Sequence, residues 1–256
     1  MTTSVSVGNV EPLPIEIRRV PARQAVEWLN RGWDDVKQIG APGLAHGALI
    51  AILGSVLLML GSTHMYLIAA AVTGYLLVGP VMTTGLCELA RRRAARQPLG
   101  FDDSLHGLTR NSEGLTHFGG ILALIAILWF VLSAILLDSV LNASVPSLAV
   151  ALWGGASMLT PSQMLGYVAC GAVLAAIVFA VSVVSVPLII DRHATAWDAI
   201  RTSVRVTLAN LPAMLLWAFL IVGLTAIGFL TLLVGMVVIA PLLGYATWHA
   251  YRDLIV

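Results

Sequence analysis

Histidines are the first side chains to question for chemistry here, because a facing pair can hold haem or a metal ion. The chain has six. His106, His117 and His193 fall in or beside polar connections, and His64 lies in a short turn between two apolar runs. Only His46 and His249, each near the end of an apolar segment, share a depth at which two rings could meet. A lone histidine near a helix end is more often an interfacial hydrogen-bonding group. No HxxxH, HExxH or CxxC spacing accompanies these two. The expectation is no metal ligand and no cofactor.

Carboxylates and hydroxyls come next. An ionisable group deep in a membrane helix marks a transport path or proton relay, but Glu88 and Asp138 sit near segment ends, where water is within reach. Asp34-Asp35 and Asp102-Asp103 are adjacent pairs, and adjacent residues do not share a helix face. Both pairs read as solvated surface, so Asp35→Asn is expected to be nearly silent. Thr73, Thr83, Thr84, Ser182 and Ser185 are the polar residues within or near mid-span, and Thr83, Thr84, Ser182 and Ser185 could line a pore beside Pro80 and Pro187. Back-bonding to their own helices, or tying helices together, is the better reading. A nucleophile needs an adjacent base. With no Gly-x-Ser-x-Gly turn or Gly-rich phosphate loop, no catalytic residue is assigned and an enzyme is not expected. Cys87 and Cys170 fall near opposite membrane faces, too far apart for a disulfide, and read as small packing residues. The Asn142-Ala143-Ser144 triplet carries no weight. Gly43 and Gly47 read as a flexible helix start in preference to a close helix crossing.

The elements that carry these residues follow from composition. Of 256 residues 59% are hydrophobic and 11% charged, and mean hydropathy is +0.92. Soluble domains carry about a quarter charged residues, so lipid must solvate most of this surface. A net charge of +1 gives no reason to expect nucleic acid. About 40 mostly polar residues open the chain, and no cleaved signal peptide is expected. A ruler of about 19 residues marks spans at 43–61, 66–90, 118–137, 165–190, 211–229 and 233–250. The last two come from one long uncharged stretch, which must turn back around Gly228–Gly235. All 14 Lys and Arg fall before span one, between spans two and three, between four and five, or after six. By the positive-inside rule both termini are cytoplasmic. The expected fold is all-α: six transmembrane helices in three hairpins, with residues 1–21 a polar tail and 22–256 one membrane domain.

Each hairpin is preceded by a polar segment. In Ala22–Ile39 an apolar stripe runs through Val26, Leu29, Trp33, Val36 and Gly40, ending at Pro42-Gly43. In Thr195–Asn210 it runs through Trp197, Ile200, Val204 and Leu208, with Thr195 and Asp198 as a start signal and Pro212 after it. The middle copy, Asp102–His117, is weaker because Gly107 and Gly114 lower helix propensity. Trp28, Trp33 and Trp197 are expected at headgroup level. Pro80, Pro187 and Pro241 follow apolar runs in the even-numbered spans, so the chain reads as three copies of an interfacial helix, a span out and a proline-kinked span back.

The strings VVSVPLIIDR, AIRTSVRVTLANLPAMLLWAFLIV and APLLGYATWHAYRDL resemble a bacterial family of integral membrane proteins catalogued as domain of unknown function 2189. The resemblance runs from about Ile17 and is most specific in the last 70 residues. It implies a multi-pass protein of the bacterial inner membrane. Some relatives carry the label cytochrome c oxidase subunit I, which needs histidines deep in the membrane that this chain lacks. Relatives often have His where this chain has Tyr245, so a same-face pair with His249 is lost here. The expected function is a non-enzymatic scaffold or assembly factor, with the lipid bilayer and either another membrane protein or a second copy as partners. The alternatives are a carrier for a small apolar or lipid-like substrate and, more remotely, a haem-binding redox accessory.

Overall fold

The computed structural model describes residues 15–61, 83–141 and 161–256. His64, Thr73, Pro80, the Asn142–Ser144 triplet, most of the expected second span and the side chain of Asp138 lie outside the described residues. The described chain is helical: α1 Gln24–Ile39, α2 Ala41–Gly61, α3 over 83–94, α4 Phe101–Arg110, α5 Ser112–Leu141, α6 Pro161–Ser182, α7 Ser185–Arg192, α8 Ala196–Ala209, α9 Leu211–Leu230 and α10 Met236–Leu254. Three helical stretches, in α5, across α6–α7 and in α9, are long and apolar enough to cross a membrane. A fourth results if α1 and α2, bent by 106° at Gly40, act together.

Local chemistry explains the breaks. Gly40 ends α1 at φ +66°, a left-handed conformation that costs glycine little. The break thus falls before Pro42, which sits harmlessly in the first turn of α2. Thr195 caps α8 by accepting from Asp198 N at 3.2 Å, as the start signal predicts. The chain leaves helix at 231–235, where Leu232 and Leu233 take positive φ and Leu233 N donates to Gly228 O at 2.9 Å. That break lies within the expected turn.

α10 is the hub. It runs antiparallel to α2: a Cβ added to Gly43 would lie 2.1 Å from Tyr245 Oη, one on Gly47 2.1 Å from Val237 O, and one on Gly54 2.8 Å from a Leu233 methyl. Gly43 and Gly47 therefore form a close crossing and not a loose helix start. Val237 is four residues before Pro241, whose missing N–H frees that carbonyl. Bare Gly47 lets α2 approach that carbonyl closely. On the other flank, Gly32 of α1 packs against the Leu242 and Ala246 backbone, and Gly244 faces Leu86 of α3. Trp28, Trp217, Tyr245, Tyr251 and Phe118 anchor the core around this hub.

The second expected kink differs. Pro187 lies in the first turn of α7, after a break at Val183-Val184, so it starts a helix and does not bend one. The apolar stripes differ as well. α1 buries Ala25, Trp28, Gly32, Asp35, Val36 and Ile39 and leaves Val26 and Trp33 outside, Trp33 at 46%. α8 buries Ala199, Thr202, Ser203 and Val206 and exposes Trp197 and Leu208. The stripes are therefore split: Val36 and Ile200 face the bundle, while Val26, Trp33, Trp197 and Leu208 face out. Farther along the helices, Leu124 and Leu128 of α5, Val173 of α6 and Leu215, Phe219 and Val222 of α9 are exposed. An exposed apolar band of this extent suits lipid, not water.

Candidate functional site

The chemistry-bearing side chains gather at one end of the hub. α1 offers three donors, Gln24, Trp28 and Arg31, along one face at helical spacing. All converge on Asp253, in the last turn of α10. Gln24 Nε2 donates to Asp253 Oδ2 at 2.8 Å, Trp28 Nε1 to the same oxygen at 2.9 Å and Arg31 Nη1 to Oδ1 at 3.2 Å, while Arg31 Nη2 pairs with Oδ2. Trp28 is thus fully buried, edge-on to Trp217 at 5.9 Å, and not at headgroup level. Burial pushes the Asp253 carboxyl up, but the bonds from Arg31, Trp28 and Gln24 outweigh it and hold it below the usual aspartate value.

One turn along, Asp35 is 1% exposed and not solvated. It pairs with Arg93 of α3 and accepts from His249 Nε2 of α10 at 3.0 Å. A carboxylate only accepts, so Nε2 carries the hydrogen. Its neighbour Asp34 is on the surface, paired with Lys37 at 2.6 Å. Adjacent residues on a helix do face apart; here one of the two faces inward.

Glu88 is likewise buried and does not reach water. Its carboxylate accepts from Arg91 at 2.6 and 2.8 Å and from Arg92 at 3.0 Å. Arg92 continues to Asp103 at 2.7 Å, which joins α4. Gly107 permits this docking, since a Cβ there would lie 3.0 Å from Glu88 Cβ. The glycine expected to weaken the segment is a packing contact. Arg110 and Asn111 then donate to the carbonyls of Ile190, Ile189 and Ala194. Tyr251 Oη donates to Asp191 at 2.6 Å, and an isolated antiparallel bridge joins Ile17 to Ile255. Residues from all four basic segments are thereby tied into one polar plate.

His46 and Ser104 form the contact nearest to catalytic chemistry. His46 Nδ1 lies 3.0 Å from Pro42 O and Nε2 3.3 Å from Ser104 Oγ. Both side chains are buried. Ser104 has one proton, and Oγ also lies 2.5 Å from Phe101 O, a stronger claim on it than the imidazole makes. The contact reads as structural, locking α4 onto α2. It also bears on haem. Both nitrogens of His46 are engaged, a Cβ on Gly85 would sit 2.5 Å from Nε2, and His249 Nε2 is held by Asp35. The pair does not fit axial ligation.

Ser182 and Ser185 donate to the carbonyls of Val178 and Val181, each four residues back at 2.6 Å, as expected for packing hydroxyls. Thr84 is buried against Gly107. His106, His117 and His193 are exposed. Both cysteines are free thiols, Cys87 buried and Cys170 partly so. Asp253, Ser104 and Asp191 had drawn no attention in the sequence. The donors Trp28 and Arg31 with Gln24 on one face were a usable signal that an acceptor must meet it.

No curated protein and no solved structure matches the chain. A family model does, covering the middle of the chain with the string VVSVPLIID up to Asp191, and not the two strings that follow it. Residues 67–191 match the model of a family described as predicted integral membrane protein (DUF2189).

Proposed function

We propose that this integral membrane protein is a non-enzymatic scaffold of the bacterial inner membrane, with six spans in three hairpins and both termini in the cytoplasm. The polar plate carries this reading. The three buried or half-buried acids Asp35, Glu88 and Asp253 are each held by cations or donors, and two of them bridge different helices. Charges fixed in this way serve structure; a carrier needs groups that exchange partners as it cycles. The turn of α10 before Pro241 is held by the close Gly47–Val237 contact, which also disfavours a hinge. α1 and α8 then hold Trp33 and Trp197 outward toward the headgroups and a membrane partner, whether another protein or a second copy.

Spin labels at the exposed positions Ile52 and Leu215, in protein reconstituted into liposomes, test this reading against the carrier. A scaffold gives one narrow distance distribution. Two interconverting populations would favour the carrier.

A further inference from the structure

The arginines of the plate and those of α8 differ in one respect. Arg31, Arg91, Arg92 and Arg93 are committed to acids, and Arg110 to Ile190 O and, at 4.0 Å, Glu88. Arg201 and Arg205, one turn apart on α8, are exposed, and neither takes part in an ion pair among the described residues. The nearest acid on that helix, Asp198, accepts from Thr195 Oγ1 at 2.7 Å. Arg201 stacks over the Trp197 ring at 4.9 Å. Stacking uses the face of a guanidinium and leaves its in-plane N–H donors free for a planar or tetrahedral oxyanion.

Leu208 lies about one turn beyond Arg205 on the same face of α8, and Leu211, Leu215 and Phe219 are exposed farther on, along α9. Two cations without an acid partner among the described residues therefore stand beside exposed apolar side chains. α1 lacks this arrangement, because Lys37 is paired with Asp34 and Arg31 is consumed by Asp253.

We propose that the Arg201–Arg205 edge of α8 binds the headgroup of an anionic phospholipid, with its acyl chains along Leu208, Leu211 and Leu215. This rests on the reading of α8 as an interfacial helix. The cation pair, without an acid partner among the described residues, supplies the charge complementarity, and the exposed apolar residues Leu208, Leu211 and Leu215 beyond it select a lipid over a free anion.

The test is native mass spectrometry of the full chain released from nanodiscs of mixed phosphatidylglycerol and phosphatidylcholine. The expected result is preferential retention of phosphatidylglycerol. That preference should fall about 30-fold in Arg201→Gln/Arg205→Gln, from the usual value of a basic residue near an anionic surface taken twice, and persist in Arg201→Lys/Arg205→Lys. Phosphatidylcholine retention should not change, which also reports that the variants remain folded. Equal retention of the two lipids by the native chain overturns the proposal, as does a preference that survives the Gln variant or is abolished by millimolar inorganic phosphate. A failure of the interfacial reading itself looks different: the native chain retains neither lipid.

Discussion

Asp35 and Asp34 show how far one position on a helix separates two chemically identical residues. Asp34→Asn removes an exposed pair and should change thermal stability in detergent by less than about 1 kcal/mol. Asp35→Asn leaves Arg93 without its buried acid and should cost about 2–3 kcal/mol; equal effects of the two substitutions would refute the assignment. Asp253 gives a pH dependence. Its folded carboxyl titrates below the unfolded one, so its contribution is fully present above the ordinary aspartate range. That contribution is lost as pH falls through about 4 and below. Melting curves of the native chain should show this acid loss, and Asp253→Asn should flatten it. Both roles were hidden in the sequence for the same reason. A charge's partner lies more than 50 or 200 residues away, and no local spacing says which of two adjacent acids turns inward.

Helices were more legible than their faces. The starts of α8 and α9 and the turn at 231–235 follow from Thr195, Pro212 and the length limit on a spanning helix, whereas the break before α2 falls at Gly40 and not at the expected Pro42-Gly43. The large apolar residues of α1 divide between two faces: Val26 and Trp33 look outward, while Trp28, Val36 and Ile39 face in beside Ala25, Gly32 and Asp35. In water the bulkier side chains would be buried, but in lipid they need not be. Trp33→Asp and Trp197→Asp should therefore still lower stability in the bilayer, through charge on an exterior apolar face. Gly47 offers the sharper element-scale test. Gly47→Ala places a methyl against the Val237 backbone and should destabilise by about 1–3 kcal/mol. Gly223→Ala, with nothing within 4 Å of its added Cβ, should be neutral or slightly stabilising. Thermal unfolding of the two variants in one detergent separates them, and a harmless Gly47→Ala would remove the close crossing.

At the scale of the whole molecule, the distribution of charge in the sequence and the polar plate in space are one observation. Arginines from distant segments gather because their acids, Asp35, Glu88, Asp103, Asp191 and Asp253, come from those same segments. The plate accounts for the folding of one end. It becomes a cytoplasmic face only if every basic segment lies on one side of the bilayer. Reporter fusions test that claim most directly. Fusions after Gln97, Ala194 and Val256 should report the cytoplasm, and fusions after Gly61, Ser144 and Leu230 the opposite side. A cytoplasmic signal at Ser144, or an external one at Ala194, would contradict the account.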